Sequence, residues 1–384
     1  MRLLHLISTL DPSHGGTSEA VVQLASALDR AGHTNAAATL DAPGAPWLDT
    51  LPFPTHALGP NRGSYQFAPR APEWLRARDA SGADDALIVH GLWQHHGFAA
   101  WRAWRRSPRF VFAHGMLDPW FKRAYPRKHL KKWLYWPWAE YWILRQARAV
   151  FFTCEEERRL ARESFWLYRC REAVANLGIV EPPGDADEQR ALFFEKFPDL
   201  RGRRILLFLG RLVVKKGCDL LLHAFARLAS RPDDVTLVMA GPGEDSAFVA
   251  DLRRGEATRE NVRWVGMLSG AVKWGALRAA EAFILPSHQE NFGLAVVEAL
   301  ACGTPVLLSD KVNIWREVSA DGAGLVAADD FDGTLDLLRR WLALPEEARR
   351  AFRERARACY ARRFQIDQAA AALARQLREL GVRV

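Results

Sequence analysis

Two hydrophobic rhythms alternate along the chain. Short continuous apolar runs read as buried strands, and between them apolar residues recur at helical spacing. The first run is Leu3–Ser8, followed by a loop with Pro and paired Gly at Asp11–Gly16. Thr17 is then a candidate cap for a helix that carries Val21, Leu24, Ala25 and Leu28 and stops at Gly32. Further runs stand at Ala86–Val89, Arg109–Ala113 and Ala149–Thr153. Buried strands alternating with helices predict an α/β fold with a parallel sheet.

The rhythm restarts after Val180–Asp187, where Pro182, Pro183 and Gly184 mark a linker. Strands are expected at Ile205–Leu209, Val235–Ala240, Val262–Val265, Ala282–Leu285, Pro305–Leu308 and Gly324–Val326. Helices are expected at Gly217–Ser230, Trp274–Ala280, Phe292–Ala301 and Asp332–Trp341. From Pro345 the chain reads as one long helical stretch broken near Phe364. Beyond the break, Ile366, Ala369, Ala370, Leu373 and Leu377 form an apolar stripe. At roughly 100–200 residues per domain, 384 residues favour two domains. The expected divisions are 1–180, 181–363 and a closing helix at 364–384. Two such halves imply a cleft, with ligands at the carboxyl ends of strands.

Composition narrows the class. With 49% hydrophobic and 26% charged residues, the chain can bury a large core and is not disordered. No run of about 18 apolar residues is present to span a membrane. The first apolar run, Leu3–Ile7, is too short for a signal-peptide core, so the expectation is a protein that is not exported. Cys154, Cys170, Cys218, Cys302 and Cys359 are odd in number and far apart, which argues against a disulfide framework and suits a reducing cytoplasm. The net charge of +8 is local. Pro119–Arg148 alone carries Lys122, Arg123, Arg127, Lys128, Lys131, Lys132, Arg145 and Arg148 against Glu140, which points to an anionic partner surface.

Candidate chemistry gathers in the second half. Arg211 and Lys216 follow a strand and precede a helix, where cations and free backbone N–H groups suit a nucleoside diphosphate. Glu290 lies in the loop after another strand, and Glu298 sits eight residues on, inside the next helix. Two carboxylates so spaced can hold sugar and ribose hydroxyls. Asn291, Phe292, Gly293 and Leu294 lie at that helix start, where backbone N–H groups can hold a diphosphate. The set Gly210-Arg211, Lys216-Gly217, Pro286-Ser287, Glu290 with Glu298, and Gly303-Thr304-Pro305-Val306 resembles glycosyltransferase family 4. Gly15-Gly16 and Gly241-Pro242-Gly243-Glu244 extend the resemblance over nearly the whole chain.

The resemblance implies a GT-B fold: two Rossmann-like α/β domains facing a cleft, with the C-terminal helix crossing back to the first. It implies retaining transfer of a sugar from a nucleotide donor, UDP- or GDP-linked, that is a substrate and not a cofactor. No metal is implied. Arg211 and Lys216, with Lys215 as the fallback, would hold the diphosphate. Glu298 would bind the ribose and Glu290 the donor sugar. Gly15 and Gly16 would let the first loop approach the phosphate. The hinge Ala175-Asn176-Leu177-Gly178-Ile179-Val180 departs from the family's usual Pro-Asn-Gly-Val type.

Ala113-His114-Gly115-Met116-Leu117-Asp118-Pro119-Trp120 resembles the His-bearing segment of family 4 members encoded among exopolysaccharide genes. That implies a catalytic-site His114 near the donor's anomeric centre, acting as a base or orienting hydroxyls. His90, His95 and His96 are expected in the acceptor pocket rather than on a metal. Asp185-Ala186-Asp187 sits in the linker and Asp330-Phe331-Asp332 at a helix start, so neither reads as a metal site. In Pro119–Arg148, cations interleave with Trp120, Trp133, Trp136, Trp138 and Trp142, a pattern suited to an anionic membrane surface and not to nucleic acid. The leading expectation is therefore an enzyme on the inner face of the plasma membrane. It would extend a polyprenyl-diphosphate-linked glycan in exopolysaccharide or cell-surface glycan synthesis. The alternatives are a transferase with a soluble acceptor and a non-catalytic GT-B scaffold.

Overall fold

The computed structural model describes residues 1–228, 233–243, 246–254 and 261–383. The chain divides into two units, Met1–Val180 with Gln365–Val384, and Glu181–Phe364.

The first unit holds a sheet of seven strands: β1 (Arg2–Ile7), β2 (Thr34–Thr39), β3 (Thr55–Ala57), β4 (Ala86–His90), β5 (Arg109–Phe112), β6 (Ala149–Phe152) and β7 (Glu172–Val174). Their order is β3-β2-β1-β4-β5-β6-β7, and every pair is parallel. The strand order reverses direction between β1 and β4, the switch point at which ligands bind in such sheets. β4, β5 and β6 are buried at every residue, as a sheet covered on both faces requires. β2, β3 and β7 are additions to the strands read from the sequence. β2 reads Thr-Asn-Ala-Ala-Ala-Thr, which lacks the large β-branched residues that mark a strand, yet five of its six residues are buried. The helix after β1 runs Gly16–Arg30 and is capped by Gly15 rather than by Thr17.

The second unit holds β8 (Arg204–Leu209), β9 (Val235–Ala240), β10 (Val262–Gly266), β11 (Ala282–Leu285), β12 (Val306–Ser309) and β13 (Gly324–Ala327). All six were expected. Their order is β10-β9-β8-β11-β12-β13, again parallel throughout, with the switch between β8 and β11. The linker is shorter than the sequence suggested. Asp185 accepts hydrogen bonds from the N–H groups of Asp187 and Glu188 and starts a helix at Ala186–Lys196. Asp330 likewise caps the helix Phe331–Leu342 by accepting from Gly333 N–H. The helix expected to reach Ser230 spans Cys218–Ala226, and Ser230 lies outside the described residues.

The closing stretch forms two helices, Glu346–Arg363 and Ile366–Glu379. Ile366, Ala369, Ala370, Leu373 and Leu377 are all buried, and the helix packs on Gly16–Arg30 of the first unit. Hydrogen bonds fix its ends. Ile366 N–H donates to Ile179 O at 3.1 Å, Gln376 Nε2 to Val174 O at 2.9 Å and Arg148 Nε to Leu380 O at 2.6 Å.

The basic, Trp-rich segment is divided between core and surface. Trp136 stacks on Phe165 in the core, while Trp133, Trp138, Trp142, Leu130 and Leu134 are exposed. Lys132 is drawn in over the rings of Trp93 and Phe121. Beneath it, buried Glu140 accepts from the Trp93 N–H through Oε1, and burial pushes its carboxyl up to about 7 from an ordinary 4.5. A raised folded value means that the folded state holds the proton more tightly than the unfolded chain. Its stabilising effect is complete below the ordinary carboxyl range and is lost as pH rises through about 7. Glu140→Gln keeps an acceptor for Trp93 and removes the charge. It should raise the urea midpoint above pH 7 more than it does below pH 4.5, and an equal shift at both would contradict this assignment.

Candidate functional site

In the second unit, the candidate residues gather at the carboxyl ends of β8 and β11. Gly210 N–H donates to Ala240 O and Leu212 N–H to Pro242 O, which ties the loop after β8 to the loop after β9. Glycine is required where these loops meet. At Gly241 (φ 139°) a Cβ would collide with Gly210 O, and at Gly217 (φ 68°) with Pro286 O. The loop after β11 is joined to the same place, because Ser287 Oγ and His288 N–H both donate to Lys215 O at 2.9 Å. Glu244 of the Gly241 motif lies outside the described residues.

Arg211 is exposed at the strand end. Lys216 is drawn further in, and its Nζ pairs with Glu290 Oε2. Burial, then the neighbouring Lys215 and Arg211, push the Lys216 ammonium down to about 7. Glu290 is held by its backbone, which donates to Lys311 O at 3.0 Å and accepts from Asn313 N–H at 2.9 Å. Asn313 Nδ2 also donates to Asn291 Oδ1 at 3.2 Å. Gly293 (φ 71°) opens the helix Leu294–Ala301, whose first backbone N–H groups have no partner within the helix. Phe292 turns its ring into the core against Phe364, so its backbone is what it offers here. Glu298 lies in the same helix, and its Oε1 accepts from Lys273 Nζ at 2.7 Å. Lys273 has no motif around it, and only folding brings it to Glu298.

In the first unit, Gly15 (φ 97°) and Gly16 are exposed where the loop after β1 enters its helix. No atom lies within 4 Å of a Cβ built on Gly15, so its backbone angle, not crowding, selects glycine. Asp41 anchors this loop. It accepts from Thr9 Oγ1 at 2.6 Å, Leu10 N–H at 2.9 Å and Thr39 Oγ1 at 2.6 Å.

His114 lies two residues beyond β5 in a left-handed backbone conformation (φ 49°). Glu157 braces that turn. One carboxylate oxygen accepts from Gly115 N–H at 2.6 Å, and the other accepts from Thr153 N–H at 2.6 Å and Thr153 Oγ1 at 2.7 Å. His114 Nε2 lies 3.0 Å from His90 Nδ1, and Phe112 stacks on both rings. Burial lowers His114 to about 4, so its ring is neutral at neutral pH. The expectation of an acceptor pocket at His90, His95 and His96 is corrected. All three are buried among protein partners: His96 Nε2 meets His90 O at 2.9 Å, and His95 Nδ1 accepts from Ala68 N–H at 3.2 Å.

Among the described residues no group of three or more His, Cys, Asp or Glu is arranged to hold a metal ion, and no helix is long and apolar enough to cross a membrane.

Comparison with known proteins fits this geometry. Residues 15–175 match the family described as "Glycosyl transferase 4-like domain", and residues 189–358 match "Glycosyl transferases group 1". A glycogen synthase of Mycobacterium tuberculosis is 33% identical over 228 residues, 56% of this chain and 53% of that protein. A phosphatidyl-myo-inositol mannosyltransferase of Mycolicibacterium smegmatis is 38% identical over 140 residues, 35% of this chain and 34% of that protein. The matched segment thus spans about half of the first relative and a third of the second. A sucrose-phosphate synthase from Thermosynechococcus elongatus has the same fold, with a TM-score of 0.76 at 22% identity over 99% of both chains. The fold is thus GT-B, shared over nearly the whole length, with one glycosyltransferase family model matched in each half of the chain.

Proposed function

We propose that this protein transfers a hexose from a nucleoside diphosphate sugar to a carbohydrate hydroxyl, with retention of anomeric configuration. The observation that carries the reading is the Lys216–Glu290 pair beside Arg211 at the β8/β11 switch point. Arg211 supplies a planar fork for the diphosphate and Lys216 a point charge. An incoming diphosphate competes for the Lys216 ammonium and frees Glu290 for the hydroxyls of the donor sugar. Glu298, held by Lys273, accepts from the ribose hydroxyls. Asn291, Phe292, Gly293 and Leu294 offer backbone N–H groups, and Gly15 and Gly16 give the phosphate close backbone approach. His114 binds a hydroxyl of the sugar, and the departing phosphate oxygen takes the acceptor's proton. Cationic side chains and N–H groups neutralise the leaving group, so no metal is needed.

A soluble carbohydrate acceptor is the better supported choice, because the relatives and fold neighbours include a glycogen synthase and a sucrose-phosphate synthase. A second reading has a separate observation behind it. The helix Pro126–Tyr135 exposes Leu130, Trp133 and Leu134 beside Arg127, Lys128 and Lys131, the composition of a membrane-surface helix. In that reading the acceptor is a polyprenyl-diphosphate-linked glycan of exopolysaccharide or cell-surface glycan synthesis, and the protein is peripheral on the inner face of the plasma membrane. Transfer assays with UDP-, GDP- and ADP-sugars against soluble and lipid-linked acceptors separate the two readings. Turnover of no donor would favour a scaffold.

Charge-assisted hydrogen bonds contribute roughly 1.5–3 kcal/mol each, so Arg211→Ala or Lys216→Ala should weaken nucleotide binding about ten- to hundredfold by calorimetry. Unchanged affinity in both would remove the diphosphate assignment. Glu290→Ala should lower turnover and leave the affinity for free nucleotide nearly intact, whereas Glu298→Ala should weaken the free nucleotide too; the opposite pattern would exchange their roles. Activity should survive a chelator, and loss restored by manganese or magnesium would show that a metal takes part. On anionic vesicles the protein should co-sediment and be released by high salt, since exposed cations near such a surface contribute about 1 kcal/mol each. Replacing Lys122, Arg123, Arg127, Lys128 and Lys131 by Gln should abolish sedimentation while donor hydrolysis persists. Equal binding to neutral vesicles, or none to either, would count against the second reading.

A further inference from the structure

A line of polar side chains crosses the buried sheet of the first unit and ends at His114. Asn35 is on β2, His5 on β1 and His90 at the end of β4. The register explains the line. His5 is level with Ala37, His90 with Ile7 and Phe112 with His90. Each step to the next residue of the line therefore climbs two positions, which keeps Asn35, His5 and His90 on one face and carries the line toward the carboxyl edge, where His114 stands beyond β5. Contacts are continuous: Asn35 Oδ1 to His5 Nε2, His5 Nδ1 to His90 Nε2, and His90 Nδ1 to His114 Nε2, each 3.0 Å.

The direction of every bond is fixed from the far end. Asn35 Nδ2 donates to Asp29 Oδ1 at 2.8 Å and faces His33 O at 3.4 Å. Turning the amide over would set its oxygen against two acceptors. Asn35 Oδ1 therefore faces His5 and must accept. His5 then donates through Nε2 and accepts through Nδ1, His90 does the same, and so does His114 toward His90. A neutral imidazole carries one N–H only, and burial keeps these three neutral.

We infer that Asp29, through Asn35, His5 and His90, locks His114 in its Nε2–H tautomer, leaving Nδ1 as an obligate hydrogen-bond acceptor for a substrate hydroxyl. Asp29, Asn35, His5 and His90 are on this account positioning residues that act through one another. The inference rests on the proposed reading of His114 as the hydroxyl-binding residue, but the tautomer itself does not.

The test separates the two. Long-range proton–nitrogen spectra of protein labelled with ¹⁵N-histidine, taken above the ordinary imidazole range, distinguish Nε2–H from Nδ1–H rings. His114 is assigned by the loss of its signals in His114→Gln. The expected result is Nε2–H at His5, His90 and His114; an Nδ1–H signal for His114 overturns the inference without any variant of the relay. His5→Phe removes the acceptor for His90 and should release His114 to the Nδ1–H form. It should lower kcat at least tenfold with nucleotide affinity within twofold, whereas His5→Asn, which keeps an oxygen near the Nδ1 position, should recover much of the loss. Full turnover in His5→Phe with His114 in the Nδ1–H form would overturn the positioning role. Full turnover in His114→Gln would instead remove the hydroxyl-binding reading and leave the tautomer result standing.

Discussion

Parallel strand pairing is the constraint from which the rest of this structure follows. Every pair in both sheets runs the same way, so all carboxyl ends of a sheet lie along one edge. Parallel neighbours need crossover connections, which cover both faces and bury the strands. Polar loops are then concentrated at the edges. At the switch in strand order two adjacent loops leave in opposite directions, and the Gly210–Lys216 and Pro286–Gly293 segments stand there in the second unit. His114 stands at the corresponding edge of the first.

Legibility followed the size of the signal each element carries. In the second unit, β8, β9, β11 and β12 are nearly continuous apolar runs, and the sequence pattern places all six strands with nearly correct ends. It does not place β2, because alanine and asparagine carry little strand preference and its burial comes from the strands on either side. Three-residue strands such as β3 and β7 are too short to show any period. At the site, residues bound to a glycine or to fixed spacing were readable: Gly217 beside Lys216, and Glu290 eight before Glu298. Lys273, Asp41 and Glu157 were not. Each has a partner distant in sequence or loop geometry that only folding fixes, and Glu157 is further masked as one of three consecutive glutamates. His5 was hidden differently, since one histidine inside Arg-Leu-Leu-His-Leu-Ile looks like a tolerated interruption of an apolar run.

Four of the polar residues around these loops share one property. Asp41, Glu157, His5 and His90 are almost wholly buried, and each makes hydrogen bonds through both of its polar side-chain atoms. Removing one partner from such a set leaves another buried group unsatisfied, at a cost of about 1–3 kcal/mol. A satisfied polar network adds little net stability compared with apolar packing, but it admits one arrangement of its side chains. Their contribution is therefore to the precision of the loops at the sheet edge. The apolar strands beneath provide cohesion without that directionality.

The helix Ile366–Glu379 belongs to the first unit by packing and to the end of the chain by sequence. During synthesis the first unit leaves the ribosome with the helix Gly16–Arg30 still bare where the closing helix later packs. At about 5–20 residues per second, the interval before that cover arrives is on the order of 10–40 s. The nascent first unit must persist over that time as an incomplete body with an apolar face open to solvent. A pause in translation within the second unit would lengthen its exposure to chaperones and to aggregation, although no residue of the first unit had changed.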